Sequence, residues 1–221
     1  MIACLFSGGK DSTLALHKAY AVGMHTELLL TFKSKNPDSY MFHYPNIEYT
    51  KLQAEALGIK HIIVESDGAK EKELEDIEKA LVENSVTTLI TGATYSKYQA
   101  DRINRIAKKL DIEHVAPLWH VEPIEELEEI AEKYYAIITK VSAEGLDKSL
   151  LGARIDMSTI KILEDANKKY GINMLFEGGE GESFVLDAPL FKKKILIKQS
   201  AILDSGMSAT YVIKRAELAE K

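Results

Sequence analysis

The chain has 221 residues, 46% of them hydrophobic and 28% charged, enough to bury one large core or two modest ones. Its formal net charge of −6 argues against a broad basic footprint, so direct nucleic-acid binding is not expected. No apolar run approaches the roughly 20 residues of a bilayer span, and no secretory signal pattern is visible at the start.

The predicted elements alternate through the first half. Residues 1–6 form an apolar strand holding Cys4, read as a small buried hydrophobe; a lone cysteine makes neither a disulfide nor a redox pair, so a cytoplasmic location is expected. A helix over 11–22 stops at Gly23, a strand follows over 27–33, and a helix over 47–57 ends at Gly58. Next come a strand over 60–65, an amphipathic helix over 71–83 and a strand over 87–91. A helix over 95–110 turns Ile103, Ile106 and Leu110 inward, and a short strand covers 113–117. Continuous apolar strands alternating with helices indicate a parallel sheet covered on both faces.

Beyond residue 118 the alternation loosens. An acidic helix over 122–134, a strand over 136–141 and a helix over 158–170 lead to extended segments at 173–176, 184–186, 194–202 and 209–214. These late segments read as antiparallel and predict a smaller α+β domain. The expected division is 1–120 for the parallel-sheet domain and 121–221 for the second.

Two constellations carry chemistry. The first, "FSGGKDSTLAL", stands between the first strand and first helix. Gly8 and Gly9 let backbone N–H groups turn toward an anion, and the helix start adds donors and the positive end of its dipole. Lys10 brings a cation, and the Ser7 and Ser12 hydroxyls donate to phosphate oxygens. Asp11 either caps the helix or helps hold Mg²⁺. Neither GxxxxGK[ST] nor GxGxxG is present. SGGKDS instead resembles the signature of the PP-loop ATP pyrophosphatases, of the adenine-nucleotide α-hydrolase type. The resemblance implies a HUP/Rossmann-like fold whose loop grips the β- and γ-phosphates of ATP while an acceptor attacks the α-phosphate.

In "LITGATYSKYQADR", Gly92 and Ala93 fall at the carboxyl end of the fourth strand, where open α/β sheets bind ligands, and a glycine there would admit a ribose or phosphate. Tyr95, Gln99 and Arg102 fall at i, i+4 and i+7 on the expected helix, either as a solvated face or as a face looking at substrate.

The second constellation, "FEGGEGESFVLDAPLF", crowds Glu177, Glu180 and Glu182 around Gly178, Gly179 and Gly181, with Ser183 following. Carboxylates so close repel one another unless something offsets them. A hairpin turn with solvated acids, a Mg²⁺ site and a site for a cationic acceptor all satisfy the pattern.

Together SGGKDS, "TGATYSKYQADR", "EGLDKSLLGARID" and the acidic motif are similar to the diphthine–ammonia ligase family over essentially the whole chain. The family motif in many relatives has an aromatic where Gly181 stands here. The family amidates a carboxylate on a modified histidine of elongation factor 2, using ATP and ammonium and releasing AMP and pyrophosphate. The resemblance thus implies ATP and Mg²⁺ as cofactors and elongation factor 2 as protein substrate. Lys10, Asp11, Arg102 and Glu180 become the expected catalytic residues. Tyr95, Gln99, Arg102 and the segment from Glu177 to Ser183, Gly181 apart, become substrate-binding residues, with Trp119 a further aromatic and Arg154 a weaker candidate for the role of Arg102. The diphthine quaternary ammonium favours carboxylates and aromatic faces. Another PP-loop adenylating enzyme and a nucleotide-binding regulator without turnover remain alternatives, and the oligomeric state, a homo-oligomer included, stays open.

Overall fold

Strands that are apolar on both faces need helices above and below, and the first half of the chain supplies both layers. The computed structural model describes residues 1–34, 46–66 and 72–221. It divides into two units, Met1–Trp119 and His120–Lys221.

In the first unit β1 (Ile2–Leu5), β2 (Leu28–Ser34), β3 (Lys60–Ser66), β4 (Thr88–Ile90) and β5 (Glu113–Val115) form a parallel sheet in the order β3-β2-β1-β4-β5. Its helices are α1 (Lys10–Ala21), α2 (Thr50–Leu57), α3 (Lys72–Glu83) and α4 (Lys97–Leu110). On one face Ala3, Leu28, Leu30 and Leu89 pack with Ile77 and Leu81 of α3 and Ile103 and Ile106 of α4. Each large aliphatic side chain buried there contributes about 1.5–3 kcal/mol. α1 lies against β1 and β4. The chain winds outward from β1 to β3, then resumes at β4 on the other side of β1. The carboxyl ends of β1 and β4 therefore flank the topological switch point, where such sheets hold ligands.

The second unit contains α5 (Pro123–Lys133), β6 (Tyr135–Val141), α6 (Met157–Tyr170), β7 (Gly181–Asp187), β8 (Lys194–Asp204) and β9 (Ala209–Ala219). Its sheet is antiparallel, in the order β7-β6-β9-β8. The fold is thus an α/β parallel-sheet unit followed by a smaller α+β unit, as the alternation of elements implies. Among the described residues no helix is long and apolar enough to cross a membrane.

Several elements differ from expectation for identifiable reasons. α4 begins at Lys97, not Tyr95: the Ala100 amide donates to Ser96 O at 3.0 Å, so Ser96 supplies the first acceptor of the helical ladder. The expected helix over 47–57 opens as a 3-10 turn, Ile47–Tyr49, before α2. Residues 173–176 are turns rather than extended chain. Asn173 Oδ1 accepts from the Leu175 amide at 2.8 Å, and Asn173 O accepts from the Phe176 amide at 3.0 Å. The strand expected over 184–186 begins earlier, at Gly181, so Glu182 and Ser183 belong to β7 rather than to a loop. Glu71, the expected first residue of α3, lies outside the described residues.

Candidate active site

The SGGKDS loop leaves β1 at the switch point and enters α1 with no side-chain cap on the helix. The first helical bond runs from the Thr13 amide to Gly9 O, 3.1 Å. The amides before Thr13 therefore precede the intrahelical ladder, at the positive end of the dipole. Ser7 and Ser12 are brought together: their hydroxyl oxygens lie 3.2 Å apart, and the Ser7 amide donates to Ser12 Oγ at 3.3 Å. The Gly9 amide donates to Ser7 Oγ, 3.3 Å. Lys10 is 1% exposed, and its Nζ donates to Asp11 Oδ1 at 2.6 Å. One wall thus gathers two hydroxyls, backbone amides and a cation, a set suited to phosphate oxygens.

Gly92 makes a close backbone approach to the start of α1. A β-carbon built on it would lie 2.7 Å from both Asp11 C and Ser12 N. Its bare face is filled by the first turn of α1, so the glycine lets the β4 loop close on the SGGKDS loop. Ala93, beside it, is buried.

Tyr95 precedes α4 and is half-buried, so it does not share a helix face with Arg102. Arg102 is on α4 and only 9% exposed, which removes the reading of a solvated polar face for it. The Gln99 side chain lies outside the described residues. Trp119, the last residue of the first unit, is half-buried.

In the second unit the acidic motif is organised by Glu180. Its Oε1 accepts from the Asn173 amide at 2.9 Å and its Oε2 from the Gly178 amide at 2.8 Å. Both carboxylate oxygens thus hold the turn that carries Glu177. Glu182 reaches across the sheet to Lys140, Oε1 to Nζ 3.1 Å. Ser142 closes the loop from the other side: its Oγ donates to Gly179 O at 2.5 Å and its amide to Glu180 O at 2.8 Å. A β-carbon on Gly181 would lie 2.8 Å from Lys140 O and 3.2 Å from the Phe176 ring. A side chain there requires those neighbours to move. Ser183 sits on β7 opposite Ile138. Val141 pairs with Gly181 on one side and Ala209 on the other, so the acidic turn and the β8–β9 turn share one end of the sheet. Arg154 acts structurally: its Nη2 donates to Ala131 O at 2.9 Å and Tyr134 O at 3.1 Å, closing the end of α5.

Comparison with known proteins follows this division of parts. The diphthamide synthase N-terminal domain matches residues 1–114, and the diphthamide synthase C-terminal domain matches residues 122–219. The chain belongs to the diphthamide synthase family. The diphthine–ammonia ligase of Bos taurus is 32% identical over 232 residues, spanning 94% of this chain and 86% of the relative. That of Homo sapiens is 31% identical, spanning 91% and 84%. A solved structure described as a predicted subunit of tRNA methyltransferase from Methanocaldococcus jannaschii is 17% identical, with a TM-score of 0.46 over 85% of this chain and 97% of that one.

The described residues contain no group of three or more His, Cys, Asp or Glu side chains placed to hold a metal. Asp11 is the carboxylate of the SGGKDS loop. One such group suits Mg²⁺, which usually takes one or two carboxylates and completes its shell with phosphates and water.

Other residues that shape the loop carry no local sequence signal. Thr31 Oγ1 donates to Phe6 O at 2.6 Å, and His61 Nε2 lies 2.8 Å from Thr31 Oγ1. Thr31 spends its single proton on Phe6 O, so His61 Nε2 carries the hydrogen between them. Burial, with Lys51 adding to it, pushes the His61 pKa down to about 4, so the ring is neutral at pH 7. On the far side His114 Nε2 meets Thr91 Oγ1 at 2.8 Å, and burial lowers its pKa too. Burial likewise raises Cys4 to about 12, an inert thiol.

Proposed function

We propose that the chain is an ATP-dependent diphthine–ammonia ligase that converts the diphthine carboxylate on elongation factor 2 into the amide, giving diphthamide, AMP and pyrophosphate. The observation that carries this reading is the match of both halves to the diphthamide synthase domains, with ligase relatives aligned over nine-tenths of the chain.

A carboxylate is a poor electrophile because its oxygen is a poor leaving group, and adenylation remedies that. A carboxylate oxygen attacks the α-phosphorus of ATP, the bond to the bridging oxygen breaks, and pyrophosphate leaves. Ammonia, formed from ammonium by loss of a proton, attacks the acyl carbon of the acyl-adenylate. The carbon–oxygen bond to AMP then breaks, AMP departs with that oxygen, and the added nitrogen gives a proton to solvent, leaving the amide.

Residues 1–120 act as the ATP-binding part. Ser7, Gly8, Gly9 and Ser12 hold the outer phosphates, and Lys10 offsets the charge that grows on the departing pyrophosphate. Gly92 and Ala93 line the same edge. Asp11 would hold Mg²⁺ together with the phosphates, and that ion supplies charge neutralisation when bound. Arg102 steadies the α-phosphate or the acceptor carboxylate. Residues 121–221 receive the acceptor. Glu177 and Glu182 offer negative charge to the quaternary ammonium, Glu180 holds the Gly178 amide with Gly179 and Ser183 as neighbouring contacts, and in the first unit Tyr95 and Gln99 are assigned to substrate binding.

The reading is tested by incubating the chain with ATP, ammonium and elongation factor 2 that carries diphthine. Conversion of acid to amide in the factor's mass spectrum, with AMP as the nucleotide product, is expected. ADP as the product, or no amide, overturns it.

A further inference from the structure

Gln53 sits on α2 with no solvent exposure, and its Nε2 donates to Gly8 O at 2.8 Å across 45 residues of sequence. Gly8 has φ +78°, and a β-carbon built on it would lie 2.2 Å from Gln53 Oε1. The side-chain amide therefore lies directly on the loop, in space that only a glycine leaves open.

That contact has a consequence for the other side of the loop. In a planar trans peptide the Gly8 carbonyl and the Gly9 N–H point in opposite directions. With the carbonyl held toward α2, the Gly9 amide is turned to Ser7 Oγ, 3.3 Å away, and Ser7 Oγ lies 3.2 Å from Ser12 Oγ. If the peptide turned over, a carbonyl oxygen would face the two serines instead of a donor. It would repel the phosphate that a donor attracts. Two residues before Gly8 the chain is braced as well, because Thr31 Oγ1 donates to Phe6 O at 2.6 Å.

We propose that Gln53 is a positioning residue for phosphate binding: it fixes the Gly8–Gly9 peptide so that the Gly9 amide faces the outer phosphates beside Ser7 and Ser12. The proposal rests on the reading that this loop binds ATP phosphates. It does not depend on which acceptor is used.

Titration calorimetry of the full chain with ATP, inorganic pyrophosphate and adenosine tests it. Gln53→Met keeps the length and removes the donor. ATP and pyrophosphate should each bind about 10-fold more weakly, the scale of one lost hydrogen bond, while adenosine binding is unchanged. Gln53→Glu supplies the second readout, independent of how well Gln53→Met folds. Its carboxylate repels Gly8 O but its protonated form donates to it, so its deficit against the wild type at the same pH should shrink on acidification. Affinity for all three ligands falling together, or for none, overturns the proposal, as does a pH-independent deficit in Gln53→Glu. If the wild type binds neither ATP nor pyrophosphate, the phosphate-loop reading fails and the proposal with it. Wild-type binding with an unaffected Gln53→Met overturns the proposal alone.

Discussion

Gly92 and Ser12 meet backbone to backbone, leaving no room for a β-carbon, which would stand 2.7 Å from the Ser12 nitrogen. The close approach ties the β4 loop to the first turn of α1, which carries Ser12. Gly92→Ala should push that turn aside, costing about 1–3 kcal/mol of stability and weakening ATP binding. Thermal melting and ATP titration check this. An unchanged melting temperature with unchanged affinity would show that the turn has slack.

Lys10 is nearly sealed from solvent, with its ammonium on Asp11. Lys10→Ala should lower the rate of pyrophosphate release by roughly 100-fold or more, the usual effect of removing one group that offsets transition-state charge. Pyrophosphate measured under saturating ATP checks it, alongside circular dichroism to confirm folding. A loss confined to the KM for ATP would mean the lysine binds ground state and transition state alike.

Glu180 spends both carboxylate oxygens on backbone amides. Its substitution should disorder the acidic turn without touching the phosphate loop. Glu180→Ala is expected to raise the KM for the protein acceptor about 10-fold, the scale of losing charge-assisted hydrogen bonds, with the KM for ATP unchanged. Glu180→Gln, which keeps one acceptor oxygen, should fall between. Equal losses for acceptor and ATP would contradict the proposed division of labour.

His61 links stability to pH. Its folded pKa is about 4, below the usual value of 6.5, because burial disfavours the charged ring. On acidification the unfolded chain takes the proton first, so stability is full above pH 6.5 and falls as pH drops toward 4. His114 is shifted in the same direction and adds to the slope. His61→Gln should show a shallower decline across that window in urea unfolding. A slope identical to the wild type would show that His61 does not drive the decline.

The parts legible in sequence are those whose chemistry is local. SGGKDS reads as an anion loop because its glycines, lysine and serines are contiguous, and the parallel sheet reads from apolar runs such as "LLLTF". The start of α4 is harder to place, since Tyr95 fits the helical period while Ser96 takes the capping place. Glu182 resembles a loop residue because glycines and acids surround it, yet pairing with Lys140 makes it strand. Sequence alone does not separate Arg154 from a substrate ligand; its carbonyl partners at the end of α5 do. Gln53 has only a faint signal, a polar side chain on the buried stripe that also holds Thr50, Ala54 and Leu57. Its partner lies too far along the chain for spacing to reveal.

At the centre of the proposed chemistry, the loop holds ATP by its outer phosphates while the acceptor carboxylate attacks the inner one. The most direct test uses elongation factor 2 whose diphthine carboxylate carries heavy oxygen, turned over with ATP and ammonium. One labelled oxygen should appear in AMP and none in pyrophosphate. Label in inorganic phosphate beside ADP, or unlabelled AMP formed with the amide, would contradict that chemistry.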